Sequence, residues 1–343
     1  MRMRDRWIED AMEQEIYSLK KKVLAVIIGG AVGDAMGVPY EFKGRDTYTA
    51  MGMTGYGTYN QPKGSWSDDT SLTLCTMENY VEGGTLDDLL GKFLCYKENG
   101  KWTPYGTCFD MGISTSQALE KYKSGISYKL CGGNGERDNG NGSLMRISPV
   151  LFMTIFNKDL QDTIKLIREY SGMTHRHPRA VLGCVIYIVF LMRIYFFEDF
   201  GKALDMTVDV CNRIIVDLDL RNEFIYYQRI LGKKIAGLER REICSDGYIV
   251  NSLEAALWCC VSTNSYQEAV LRAVNLGGDT DTIAFIAGTI AGLKYGIDGI
   301  PEEWVEQLAR INDIKVLCGE FAKCCYENTK GEKYRSILTT PVP

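Results

Sequence analysis

The stretch Gly277-Gly278-Asp279-Thr280-Asp281-Thr282, with the small and apolar run from Ile283 to Tyr295 behind it, constrains this chain more than any other. Two successive glycines permit a tight turn. Ala284, Ala287, Gly288, Ala291 and Gly292 recur at helical spacing and predict a helix that packs closely against another. Asp279 and Asp281 must therefore sit at the mouth of a buried helix. Two carboxylates so close repel unless a proton or a cation lies between them. Hard divalent cations take oxygen ligands, so Asp279 and Asp281, with the hydroxyls of Thr280 and Thr282 interleaved, form a candidate metal site. The competing reading is an N-cap with acidic residues near the positive end of the helix dipole.

A second cluster upstream favours the metal. Ser67-Asp68-Asp69-Thr70 opens a predicted helix, Thr70 to Tyr80, and repeats the mixture of carboxylates and hydroxyls. Ordinary capping is again the alternative. With 12 cysteines in no paired metal-ligand spacing and only two histidines, His175 and His177, zinc is disfavoured. The cysteines read as reduced, buried small hydrophobes of a cytoplasmic protein without a signal peptide. A net charge of -5 argues against general nucleic-acid binding.

Helical patterning dominates the rest, and no long alternating strand stands out. Trp7 to Met36 reads as one or two helices, with the Lys20-Lys21-Lys22 run as a solvated face. Gly29-Gly30, Gly33 and Gly37 mark a closely packing helix end that delivers Glu41. No strand–turn–helix unit follows and Pro39 interrupts, so a dinucleotide fingerprint is the weaker reading. Further helices are expected over Leu86–Tyr96, Ser114–Tyr122, Leu160–Ser171, Ala203–Val216, Arg221–Leu231, Ser252–Val261 and Glu302–Glu327. Asp110 is either a functional acid or the cap of the helix at Ser114. Tyrosines between Tyr48 and Tyr59 order a loop by aromatic packing or line an entrance. The glycine-dense segment from Cys131 to Arg146 exposes backbone N–H groups that suit a phosphate, although a flexible surface loop has the same composition. Val181 to Met192 is an apolar run of a dozen residues, short of the ~20 that span a bilayer, and reads as a core helix.

Five short motifs in this order resemble the ADP-ribosylglycohydrolase family, over about residues 23–297. They are Gly33-Asp34-Ala35-Met36-Gly37 with Pro39 and Glu41, Ser67-Asp68-Asp69-Thr70, Gly142-Ser143-Leu144-Met145-Arg146, Thr174-His175, and Gly277 to Thr282. The resemblance implies an all-α, compact, single-domain orthogonal helix bundle over residues 1–343. It implies two divalent cations, Mg2+ or Mn2+, below an ADP-ribose cleft. Ser67, Asp68 and Asp69 would hold one side of the metal pair, and Asp279, Asp281 and Thr282 the other, with Ser67 replacing the family's frequent Thr. Glu41 matches an acidic residue beside the metals. Asn141, Gly142 and Ser143 match a loop on the phosphates and distal ribose, and His175 a residue beside the adenosine. Asp110 falls in a segment resembling the dinitrogen reductase-activating branch, with Ile113 where that branch carries Asn.

The chemistry expected from that resemblance is hydrolysis of the bond between ADP-ribose and a protein side chain or small acceptor. A metal-oriented water would attack the anomeric carbon, with Glu41 or Asp110 moving the proton. A monomer that meets no membrane is expected. The alternatives are a protein that binds ADP-ribose or a nucleotide without cleaving it, or a hydrolase of another ribosyl compound.

Overall fold

The computed structural model describes residues 3–157, 159–197 and 199–329. Its helices run α1 (Met3–Gly37), α2 (Asp68–Val81), α3 (Leu86–Asn99), α4 (Ile113–Lys123), α5 (Tyr128–Cys131), α6 (Pro149–Thr154), α7 (Leu160–Gly172) and α8 (Pro178–Phe197). They continue as α9 (Phe200–Ile214), α10 (Leu218–Asn222), α11 (Gln228–Leu231), α12 (Ile249–Val261), α13 (Tyr266–Val274), α14 (Thr280–Tyr295), α15 (Glu302–Glu306) and α16 (Ile311–Thr329). Among the described residues β pairing is confined to isolated bridges, so the fold is all-α as expected.

Small residues decide the central contact. Gly29, Gly33 and Gly37 recur every four residues along α1; Gly29 faces Gly288 and Gly292 of α14, Gly33 faces Ala284, and Gly37 faces Thr280 and Asp281. A Cβ at Gly33 would overlap the Ala284 carbonyl, and one at Gly288 would overlap the carbonyl of Gly29. The two backbones therefore touch, which only residues without bulk at these positions allow. Tyr266 of α13 ties in by donating its hydroxyl to the Gly29 carbonyl at 2.7 Å. The remaining helices wrap this pair, α16 and α2 against α1, and α12, α13 and α8 against α14.

Several expectations need correction. The pattern from Arg221 to Leu231 is not one helix: a 3-10 turn at Glu223–Ile225 separates α10 from α11. The break lets Tyr226 stack on the Arg179 guanidinium at 3.4 Å and lets the buried Tyr227 donate its hydroxyl to the Arg179 carbonyl at 2.8 Å. The lysine run is not wholly solvated, because Lys22 lies 4.4 Å from the Tyr195 ring. Helix α8 reaches 20 residues, so length does not distinguish it from a membrane span. Burial does: 83% of its apolar window is covered by the protein, and the corresponding window of α1 is 89% buried. All 12 cysteines are free, and only Cys244 is exposed, in line with a reduced, buried set.

Candidate active site

The positive φ angles of Gly277 (74°) and Gly278 (77°) make the turn before α14. Phe42 N–H donates to the Gly278 carbonyl at 2.7 Å, and Gly278 N–H donates to the Lys43 carbonyl at 3.0 Å. These two backbone bonds pin the segment carrying Glu41 beside Asp279 and Asp281. The Thr280 hydroxyl closes the other side on the Gly37 carbonyl at 2.8 Å. Asp279 occupies the N-cap position, yet its side chain caps nothing. It accepts instead from Asn141 Nδ2 at 2.7 Å.

At the start of α2 the capping reading holds for Ser67, whose hydroxyl accepts from Asp69 N–H at 3.3 Å. A residue far upstream shares the task. Asp34, fully buried in α1, accepts from Ser67 N–H at 2.9 Å, from Thr70 N–H at 3.1 Å and from the Thr70 hydroxyl at 2.6 Å. Asp68 and Asp69 are thereby turned into the interior. Asp68 accepts from Gly112 N–H at 3.2 Å, and Asp69 accepts from the Thr282 hydroxyl at 3.2 Å. The N-termini of α2 and α14 thus face each other across one acidic hollow.

Seven carboxyl groups gather there: Asp34, Glu41, Asp68, Asp69, Asp110, Asp279 and Asp281. Burial raises every one of their pKa values. Asp34 is pushed up to about 6; Glu41, with the charges of Asp110 and Asp279 added, is pushed up to about 8. Burial and then neighbouring acids hold Asp68, Asp69 and Asp281 well above the carboxylate range. Asp110 and Asp279 are also raised, chiefly by burial. Such a set does not ionise fully near neutral pH without cations.

The donor set fits hard divalent cations. Asp34, Asp69 and Asp281 offer oxygens within 4.8 Å of one another, and so do Glu41, Asp110 and Asp281. That spread matches the diameter of a cation's oxygen shell, whose ligands lie at ~2.0–2.6 Å. Two oxygens inside the hollow, Glu41 Oε2 and Asp69 Oδ2, are buried without a hydrogen-bond partner.

A cleft of about 340 Å³ opens above the acids, lined in part by Glu41, Asp68, Asp110, Asn141, Gly142, His175, Asp279 and Thr282. Asp110 does not cap α4, whose N-cap is Gly112; it stays available to the cleft. Asn141 is held by the Gly247 carbonyl, to which its N–H donates at 3.0 Å, so this part of the glycine loop is anchored rather than a free surface. Ser143 points away: its hydroxyl accepts from Ser171 at 2.9 Å and lies 3.5 Å from the Cys184 thiol. Any contact from Ser143 to a ligand would have to come through its backbone. Two residues beyond the sequence expectations join the site. Asp34 is the first, carried in a motif but given no role. Tyr59 is the second; its hydroxyl sits against both Glu41 and Asp110 and lowers the pKa of each. Elsewhere in the tyrosine loop aromatic packing holds, with Tyr48 stacked on Tyr40 at 4.5 Å.

A family model described as ADP-ribosylglycohydrolase matches residues 16–331. The chain belongs to the ADP-ribosylglycohydrolase family. It is 34% identical over 294 residues to the ADP-ribosylarginine hydrolase Tri1 of Serratia proteamaculans, covering 84% of this chain and 75% of that protein. With the ADP-ribosyl-(dinitrogen reductase) glycohydrolase of Rhodospirillum rubrum it shares 25% identity over 306 residues, 87% of this chain and 92% of the other. A solved ADP-ribosylglycohydrolase-related protein complex matches with a TM-score of 0.75 at 26% identity, over 90% of this chain and 99% of that one. The family match extends past residue 297 and takes in α15 and α16. As a member of the ADP-ribosylglycohydrolase family, the chain is a hydrolase.

Proposed function

We propose that this ADP-ribosylglycohydrolase cleaves the N-glycosidic bond between ADP-ribose and an arginine side chain, with divalent cations held by the acidic hollow. The meeting of the two acidic helix starts under one cleft, with Asp69 Oδ2 and Glu41 Oε2 left unpartnered, carries the proposal. The acceptor rests on the Serratia relative, named an ADP-ribosylarginine hydrolase.

Asp68, Asp69, Asp279 and Asp281 would hold the cations, with Ser67 and Thr282 adding hydroxyls. Asp34 aims the start of α2. Mg2+ or Mn2+ bound there would supply charge to grip ribose hydroxyls and to lower the pKa of water. Hydrolysis joins a water oxygen to the anomeric carbon, breaks the carbon–nitrogen bond and delivers a proton to the departing guanidine. Glu41 is the proton carrier of choice: its carboxyl borders the cleft, and in the cation-free protein burial with Asp110 and Asp279 pushes its pKa up to about 8. Tyr59 and Asp110 orient it. Asn141 and Gly142 would lie along the diphosphate, and His175 beside the adenosine.

The test is release of ADP-ribose from arginine-, serine- and ester-linked substrates, with Mg2+ or Mn2+ and with chelator. Arginine-linked release that chelator abolishes is expected. Glu41→Gln should keep cation binding and lose at least about 100-fold in kcat, whereas Asp69→Asn should lose cation binding. Full turnover in chelator would refute the metal role, and release from serine alone would reassign the acceptor.

A further inference from the structure

Arg146 is 1% exposed, and the mechanism above does not use it. Its guanidinium lies 4.8 Å from the centroid of Phe93 and pairs with no carboxylate at ion-pair distance among the described residues. Nη2 donates to the Tyr170 carbonyl at 3.2 Å and to Thr174 Oγ1 at 2.7 Å, while Nε and Nη1 have no partner. Thr174 Oγ1 lies 2.8 Å from His175 Nδ1.

Proton bookkeeping decides the direction of this chain. A guanidinium only donates, so Thr174 Oγ1 accepts from Arg146. The Thr174 hydroxyl hydrogen then needs an acceptor, and His175 Nδ1 is the one within reach. Were Nδ1 protonated instead, two donors would converge on one oxygen and leave a buried hydroxyl hydrogen unpaired, at a cost of about 1–3 kcal/mol. The imidazole proton consequently sits on Nε2. Burial, followed by the charge of Arg146, pushes the His175 pKa down to about 3 and keeps the ring neutral. Gly140 and Gly142 leave the Nε2 edge clear: a Cβ at Gly142 would stand 2.9 Å from His175 Cε1, and one at Gly140 would stand 3.5 Å from Nε2. His175, Gly140 and Gly142 all line the cleft.

We propose that Arg146 is a positioning residue that, through Thr174, locks His175 in the Nε2–H tautomer, so that the cleft presents a neutral donor of fixed direction to an acceptor atom of ADP-ribose. The identity of that ligand rests on the proposed function; the tautomer lock does not.

The chain has only two histidines, so nitrogen-15 spectra of histidine-labelled protein separate them, with His177→Asn giving the assignment. Wild type should show His175 with protonated Nε2 and bare Nδ1 at neutral pH. Thr174→Val should release the tautomer into a mixture and weaken ADP-ribose binding about tenfold, raising KM with kcat nearly unchanged. Thr174→Ser, which keeps the hydroxyl, should restore both readouts. A wild-type Nδ1–H tautomer would overturn the lock. So would a Thr174→Val variant with unchanged tautomer and affinity. Wild type with protonated Nε2 that fails to bind ADP-ribose would remove the ligand and the proposed function, and leave the lock standing.

Discussion

Replacing Gly33 by Ala sets two effects of opposite sign against each other. Within a helix the change is worth about 1 kcal/mol in favour of Ala. The added Cβ, however, would overlap the Ala284 carbonyl and crowd Phe285 N, both backbone atoms of α14. Backbone cannot rotate aside as a side chain would, so the two helices must part by roughly 1 Å in a close-packed interior. Overpacking of this kind costs about 1–3 kcal/mol, occasionally more. The upper range applies here, because Gly29 and Gly37 share the same contact and cannot relax independently. A net loss of about 2 kcal/mol is expected. With an unfolding entropy of about 2.1 cal/mol/K per residue, that lowers Tm by roughly 3 °C in thermal unfolding of cation-free protein. Gly37 abuts Asp281, so parting the helices should also weaken Mn2+ binding in calorimetry. Gly237→Ala is the control, as nothing lies within 4 Å of its added Cβ. A Gly33→Ala protein as stable as wild type, with unchanged Mn2+ affinity, would refute the claim that this contact positions the acids.

The acidic hollow sets the pH dependence. Burial raises Asp34 from 3.8 to about 6 and Glu41 from 4.5 to about 8, so the folded cation-free protein holds protons that the unfolded chain releases. Their stabilising contribution is full below the unfolded pKa values and is lost as pH rises through about 6 and then about 8. The Tm of chelated protein should fall between pH 5 and 8 by this linkage, and saturating Mg2+ should flatten the trend; a Tm rising over that window in chelator would contradict it. Arg45 clamps the strand of chain before Asp279, donating to the carbonyls of Leu276 at 2.8 Å, Arg240 at 2.8 Å and Ile243 at 2.6 Å. Arg45→Ala should keep helical content and lower Mn2+ affinity by about tenfold or more, given roughly 1 kcal/mol per lost bond. Unchanged affinity would mean that the glycine turn holds itself.

How much could be read in advance follows from where each signal lies. That α1 and α14 each pack closely was legible because it is written locally, as glycines and alanines at helical spacing on both helices; that they pack on each other was not. The gathering of acids was legible for the same reason: carboxylates and hydroxyls cluster at two helix starts. Whether an acid caps or faces the hollow was not, since that depends on partners elsewhere in the chain. Ser67 caps α2, whereas Asp279 turns to Asn141, 138 residues away. Asp34 was masked by its surroundings: a lone acid among small residues of a core helix has no local signature, and its role arises only because α2 begins against it, 36 residues on at Thr70. Tyr59 was hidden in the same way among structural tyrosines.

The decisive step in assembling the site carries no side-chain signal at all. Glu41 reaches Asp281 because Phe42 and Lys43 exchange backbone hydrogen bonds with Gly278. Only the glycine is visible in the sequence, and its necessity is steric, since a Cβ at residue 278 would overlap the Ser245 carbonyl. A chain keeping every acid but carrying a side chain there would have to displace either residue 245 or the turn itself. Displacing the turn would part Glu41 from Asp281, and displacing residue 245 would break the bond that its carbonyl accepts from Asp279 N–H at 2.8 Å. The acids are therefore necessary for the hollow and not sufficient for it, and Gly278 is as much a part of the site as the carboxylates it brings together.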